Sequence, residues 1–117
     1  MTSTSLRAVT WNTRGCRTRE GDRVDLDLTA ATLRSLDADL VALQEIDREQ
    51  RRSGGADQAR ALGDALGMGW RYAPALLGPA DQPERWRRAG PGGDPGGPAY
   101  GIALLSRLEL EEVETIP

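Results

Sequence analysis

Glu45 lies in the segment Asp39-Leu-Val-Ala-Leu-Gln-Glu-Ile-Asp47, where the uninterrupted apolar run Leu40 to Leu43 stops at Gln44 and Glu45. A carboxylate in that position is carried on rigid backbone and faces the rim of a sheet. It suits a hard cation such as Mg²⁺, which binds through one or two carboxylates and otherwise keeps its water. Asn12 ends an earlier apolar stretch, in Val9-Thr-Trp-Asn-Thr-Arg-Gly15. If the two strands are neighbours, its amide comes within reach of Glu45 and can orient the carboxylate or touch a phosphate oxygen. Arg14, Arg48, Arg51 and Arg52 flank these two strand ends, and guanidinium forks bind phosphate bidentately. Glu84-Arg-Trp-Arg-Arg88 joins an aromatic ring to basic neighbours, a combination that stacks and clamps a nucleotide or a lipid headgroup. Each residue also has a plainer account. Glu45 alone is a solvated strand-end residue, Asn12 opens an Asx turn, the arginines are solvated loop charges, and 84–88 is an exposed loop segment.

The elements that must position these groups follow from the hydrophobic pattern. Leu6 to Asn12 alternates as a strand and ends in the turn Thr-Arg-Gly. Asp25 or Asp27 caps a helix on which Leu26, Ala30, Leu33 and Leu36 recur at helical spacing, broken by Asp37-Ala-Asp39. Leu40 to Leu43 reads as a strand buried on both faces that stops at Gln44 and Glu45. A second helix spans Ala56 to Leu66, with Ala59, Leu62 and Leu66 inward and Gly67 as its C-terminal cap. Asp57-Gln58 at its start is explained by the helix dipole. Trp70 to Ala73 and Ile102 to Leu105 are further strands, and Leu108 to Ile116 is expected as a final acidic edge strand.

Between them, residues 78–98 hold eleven Gly or Pro in twenty-one positions and no period, so they are read as a long flexible loop. Strands and helices in this order give an α/β (α+β) layered architecture, with helices on one face of a mixed sheet.

Composition narrows the function classes. The 117 residues support one domain at most, with a core of aliphatic side chains, since Phe is absent. The net charge is −3 and every basic residue is arginine, a mark of a GC-rich genome more than of function. Tight nonspecific nucleic-acid binding is disfavoured by that balance. The single cysteine, Cys16, excludes an internal disulfide and a cysteine-based structural zinc site. With no signal-like start and no long apolar run, a cytoplasmic protein is expected.

A strand ending in Trp-Asn-Thr-Arg-Gly, a helix begun by Val-Asp-Leu-Asp, then Asp-Leu-Val-Ala-Leu-Gln-Glu and finally Tyr100-Gly-Ile-Ala-Leu-Leu-Ser-Arg107 form an ordered set. Together they resemble the endonuclease/exonuclease/phosphatase superfamily, with its deoxyribonuclease-I-like fold. The resemblance implies cleavage of phosphate esters with a divalent metal, Mg²⁺ or Mn²⁺ in its place, with Glu45 as metal ligand and Asn12 beside the metal and the scissile phosphate. Arg14 and Tyr100 are carried as substrate-binding candidates. Tyr100 lies about one position away from a tyrosine that contacts phosphate in some members, and is equally a strand-edge aromatic. The substrates used across the superfamily include nucleic acid, phospholipid headgroups and phosphorylated small molecules.

The resemblance covers the N-terminal part of the family domain. The Gly-Asp-x-Asn and Ser-Asp-His type motifs that supply the catalytic acid and base are absent, and the chain has no histidine at all. General acid–base help contributes about 10²–10⁴-fold, so the isolated chain is expected to be inactive. Two function classes follow. One is a Mg²⁺-dependent phosphoesterase of which residues 1–117 form the N-terminal metal-binding portion. The other is a non-catalytic half-domain that pairs with itself or with a complementary half. In either, a sheet face carrying Val9, Val41, Leu43 and Ile102 is expected to lack a partner sheet.

Overall fold

Two short helices are punctuated as the sequence demands. In the computed structural model, which describes residues 5–21, 23–90 and 92–116, α1 spans Leu26–Leu36. The Asp25 carboxylate accepts the Leu28 N–H at 2.9 Å, and Asp37 closes the helix in the left-handed region at φ 48°. α2 spans Gln58–Leu66, where Asp57 accepts the Arg60 N–H and Gly67 caps the other end at φ 66°. Both helices turn their small and apolar residues, Ala30, Leu33, Ala59 and Leu62, onto one sheet.

That sheet is mixed and five-stranded: β1 Ala8–Asn12, β2 Leu40–Arg48, β3 Gly69–Leu77, β4 Arg87–Arg88 and β5 Ala99–Ser106, in the spatial order β1-β2-β5-β3-β4. β1 and β2 are parallel, joined by α1, with Asn12 opposite Gln44; the other pairings are antiparallel. The helix-covered face holds the core of Val41, Leu43, Ile46, Ala103 and Leu105, with Val9, Trp11, Trp70 and Tyr72 packed against it. Burial of each large aliphatic here is worth about 1.5–3 kcal/mol.

Four expectations are corrected by this arrangement. Val9, Val41 and Leu43 face the helices; the bare face instead carries Ala8, Thr10, Ala42, Leu104 and the exposed Ile102, because alternation separates two faces without saying which one is covered. β2 does not stop at Leu43 but continues to Arg48 through a bulge, where Gln44 and Glu45 together face the single Ile102 of β5. Leu108–Ile116 is not a strand. β5 is already flanked by β2 and β3, so a chain leaving it finds no free sheet edge, and Leu108, Val113 and Ile116 stay exposed. Trp70–Ala73 is part of a longer strand that reaches Leu77.

The Gly/Pro segment contains a helical turn at Pro83–Arg85 and the short β4, which pairs with Leu76 and Leu77. Gln50, 1% exposed, reaches it twice and β5 once: its Nε2 donates to the Gly78 carbonyl and to the Ala99 carbonyl of β5, and its Oε1 accepts the Ala80 N–H. Arg48 lies over the Tyr72 ring and forms a fork to Asp94 while its Nε donates to the Gly97 carbonyl. Gly101 is where β3 and β5 come closest. A Cβ there would sit 2.1 Å from the Ala73 carbonyl oxygen, so no other residue fits.

Candidate active site

The bulge determines what Glu45 can do. Its backbone is left-handed at φ 56°, a conformation that costs a non-glycine residue about 1–2 kcal/mol. The surroundings hold it there: the Glu45 carbonyl accepts the Gly15 N–H at 2.7 Å and the Thr13 hydroxyl at 3.2 Å, while the Gln44 carbonyl accepts the Thr13 N–H. Strain maintained by a neighbouring loop at a half-buried carboxylate is the kind of feature found at functional sites.

Gly15 is itself fixed from beneath. The wholly buried Gln58 donates from Nε2 to the Gly15 carbonyl at 2.8 Å and accepts the Asp47 N–H on Oε1 at 2.9 Å. One side chain of α2 therefore ties the β1 turn to the segment after the bulge. Gly15 is left-handed at φ 71°, and a Cβ there would meet Asp47 Oδ2 at 3.4 Å.

Asn12 and Glu45 are brought to adjacent strand ends, with Asn12 directly across from Gln44. The Asn12 Oδ1 accepts the Arg14 N–H at 3.1 Å, so the Asx turn is formed, and a second lone pair on that oxygen stays available. Arg14 is not brought to Glu45. It lines, with Asn12, Trp11, Arg17 and Arg19, a groove of about 330 Å³ that Glu45 does not border. Tyr100 is brought in: it lies on the bare face opposite Asp47, and its phenol interacts with the Glu45 carboxylate. Burial first, and then the Glu45 charge, push the Tyr100 hydroxyl above its ordinary pKa, which keeps it a neutral donor.

Beside them is Arg52, whose guanidinium carbon is 5.4 Å from the Tyr100 ring centre. Its Nε and Nη2 bond the two carboxylate oxygens of Asp47 at 3.0 and 2.7 Å, and the Ser53 hydroxyl donates to the same carboxylate. Asp47 and Gln58 had no distinguishing signal in the sequence, because a polar residue at a strand end or helix start looks solvated. Arg51 is exposed near the second turn, and Arg48 is turned away onto Asp94. In the 84–88 segment the Trp86 indole N–H donates to the Pro79 carbonyl, which fixes the ring at the surface.

Among the described residues no three His, Cys, Asp or Glu side chains converge as a metal cage. The donor set is a single strained carboxylate flanked by amide and hydroxyl oxygens. It fits a hard, largely hydrated cation of the Mg²⁺ type and is too small for a structural zinc site.

A mixed sheet covered by helices on one face, with a bulged carboxylate at its rim, has the form of one layered half of a two-sheet sandwich. The family profile described as the Endonuclease/Exonuclease/phosphatase family matches residues 9–117, and the chain belongs to that family. Members of it act on phosphate esters and generally depend on a divalent metal. The crystal structure of the endonuclease/exonuclease/phosphatase from Beutenbergia cavernae DSM 12333 has the same fold, with a TM-score of 0.57 at 23% identity. The aligned region covers 87% of this chain and 26% of that one, so the chain spans about a quarter of its structural relative. No curated protein gives a match.

Proposed function

We propose that this chain carries the metal-binding part of a Mg²⁺-dependent phosphoesterase site, with Glu45 as the metal carboxylate and Asn12 beside the scissile phosphate. The observation that carries the proposal is the bulge: a left-handed Glu45, strapped by Thr13 and Gly15, in a chain of this family. When bound, the cation supplies charge stabilisation to a phosphate oxygen and to the leaving oxygen. The chain's own residues do the positioning. Asn12 offers an amide to the phosphate, Tyr100 gives a neutral hydroxyl toward Glu45, and the Gln58 clamp keeps the two strand ends in register.

The 117 residues include no histidine to act as general base, so turnover on the histidine-dependent route requires acid–base groups from outside this sequence. Residues 1–117 are then the N-terminal portion of one such domain, with 78–98 as its substrate-side loop and the cytoplasm as its compartment. Within the natural protein carrying these residues, Glu45→Gln should lower Mg²⁺-dependent phosphodiester hydrolysis by about 10²-fold or more without changing the melting temperature. Full activity in that variant would overturn the assignment.

The bare sheet face favours a second reading, in which the chain is a non-catalytic module that self-associates or pairs with a complementary half. Ile102 is 53% exposed at the centre of that face. Sedimentation separates the two: a stable dimer that dissociates with Ile102→Asp supports the module.

A further inference from the structure

Arg52 is held in an unusual way for a side chain at the surface. Its side chain is 35% exposed, whereas the carboxylate gripping it, Asp47, is 1% exposed. Taking a carboxylate out of water costs several kcal/mol, and a pair of this kind is weak evidence for stability in itself. What the pair does accomplish is orientation. The fork to Asp47 uses Nε and Nη2, the ring of Tyr100 supports the guanidinium plane, and Nη1 makes no hydrogen bond among the described residues. Arg52 pairs with Asp47 and with no second carboxylate among those residues, so its remaining donors are uncommitted.

The Arg52 guanidinium is linked to the Glu45 rim through Tyr100. Tyr100 touches both groups: its ring stacks on Arg52 and its hydroxyl interacts with Glu45. The Asp47 hydrogen bonds, working against burial and aided by the Asp47 and Glu45 charges, keep Arg52 fully cationic. A cation with a free edge beside a metal carboxylate, each held by rigid supports, is the arrangement that grips a phosphate group from two sides.

We infer that Arg52 is a phosphate-binding residue of the Glu45 site, its Nη1 edge turned to a non-bridging oxygen of a phosphate ester, with Asp47 as the positioning residue behind it. This rests on the reading of Glu45 as the metal carboxylate. The ligand class is a phosphate mono- or diester oxygen, bound by the same fork geometry whatever the rest of the molecule.

The test uses the 117-residue chain, with Mn²⁺ followed by electron paramagnetic resonance and inorganic phosphate by calorimetry, with and without the metal. Arg52→Gln should weaken phosphate binding about 10-fold or more while leaving Mn²⁺ affinity within about twofold. Arg52→Lys should recover only part of the loss, because an ammonium keeps the charge and not the fork. Because Arg52→Gln leaves Asp47 buried without its cation, the double variant Asp47→Asn with Arg52→Gln provides a second, charge-balanced route to the same loss.

Phosphate affinity unchanged in both variants overturns the inference, as does a wild-type chain that binds no phosphate. If Mn²⁺ fails to bind, or binds equally to Glu45→Gln, the metal reading falls on its own. The metal-free phosphate titration then still judges Arg52: a loss in the variants upholds it as a phosphate ligand, and no loss overturns it.

Discussion

Gln58→Met is a near-isosteric change that removes both hydrogen bonds of the clamp. The Asp47 N–H and the Gly15 carbonyl are left in a site where Gln58 itself is 0% exposed, so water does not replace the lost partners. A buried donor or acceptor left unpaired costs about 1–3 kcal/mol, and two of them cost roughly 2–6 kcal/mol. Stabilities of single domains lie at about 5–15 kcal/mol, so the variant loses a large fraction of the total. At about 2.1 cal/mol/K of unfolding entropy per residue, a chain of this size loses roughly 4 °C of Tm per kcal/mol. The low end of the range is then a drop of about 8 °C, or about 1 M in urea midpoint for an m-value near 2 kcal/mol/M. The assay is urea unfolding followed by far-UV circular dichroism, with Gln82→Met as control. Gln82 accepts a bond from Arg85 in the surface loop, and its loss should change stability by less than about 0.5 kcal/mol. A Gln58→Met midpoint indistinguishable from wild type would refute the clamp.

Three further outcomes are expected. Gly101→Ala places a methyl 2.1 Å from the Ala73 carbonyl oxygen, and should destabilise by at least about 3 kcal/mol or prevent folding, as read by a thermal melt. The Arg48 fork holds the Asp94 carboxyl below its ordinary pKa. Its stabilising contribution is therefore present above the unfolded value of about 3.9 and is lost as pH falls through the folded one. The protection factor of the Gly96 amide, whose N–H donates to Asp94, should fall across that acid window, and Asp94→Asn should abolish that step in protection. Burial pushes the Cys16 thiol up to about 11, so labelling by a disulfide reagent at pH 8 should be slow and should follow opening of the fold; fast labelling would contradict its burial.

The helices were legible because their punctuation is local. Asp25, Asp57 and Gly67 each act within one turn of their own position. The approach of Asn12 to the Glu45 segment was legible only on the condition that their two strands are neighbours, and the structure meets it by pairing them in parallel across α1. The bulge was not legible, since a two-against-one pairing depends on a partner strand more than fifty residues away, and its effect was to extend β2 and turn Glu45. Nor were Gln50, Asp47 and Gln58, all buried polar residues whose partners are backbone groups and charges brought together only by the fold. The acidic composition of 108–116 suggested an edge strand, but edges belong to a sheet's strand order, and β5 is interior. Which sheet face the helices would cover was likewise undetermined by a period of two.

The most direct measurement of the central claim is line broadening by substoichiometric Mn²⁺ in amide-correlated NMR spectra of the chain. Residues within a short radius of the ion lose intensity first. Selective broadening is expected at Asn12, Gln44, Glu45 and Tyr100, abolished by Glu45→Gln and undone by excess Mg²⁺. Broadening centred elsewhere, or a pattern that survives Glu45→Gln, would contradict it.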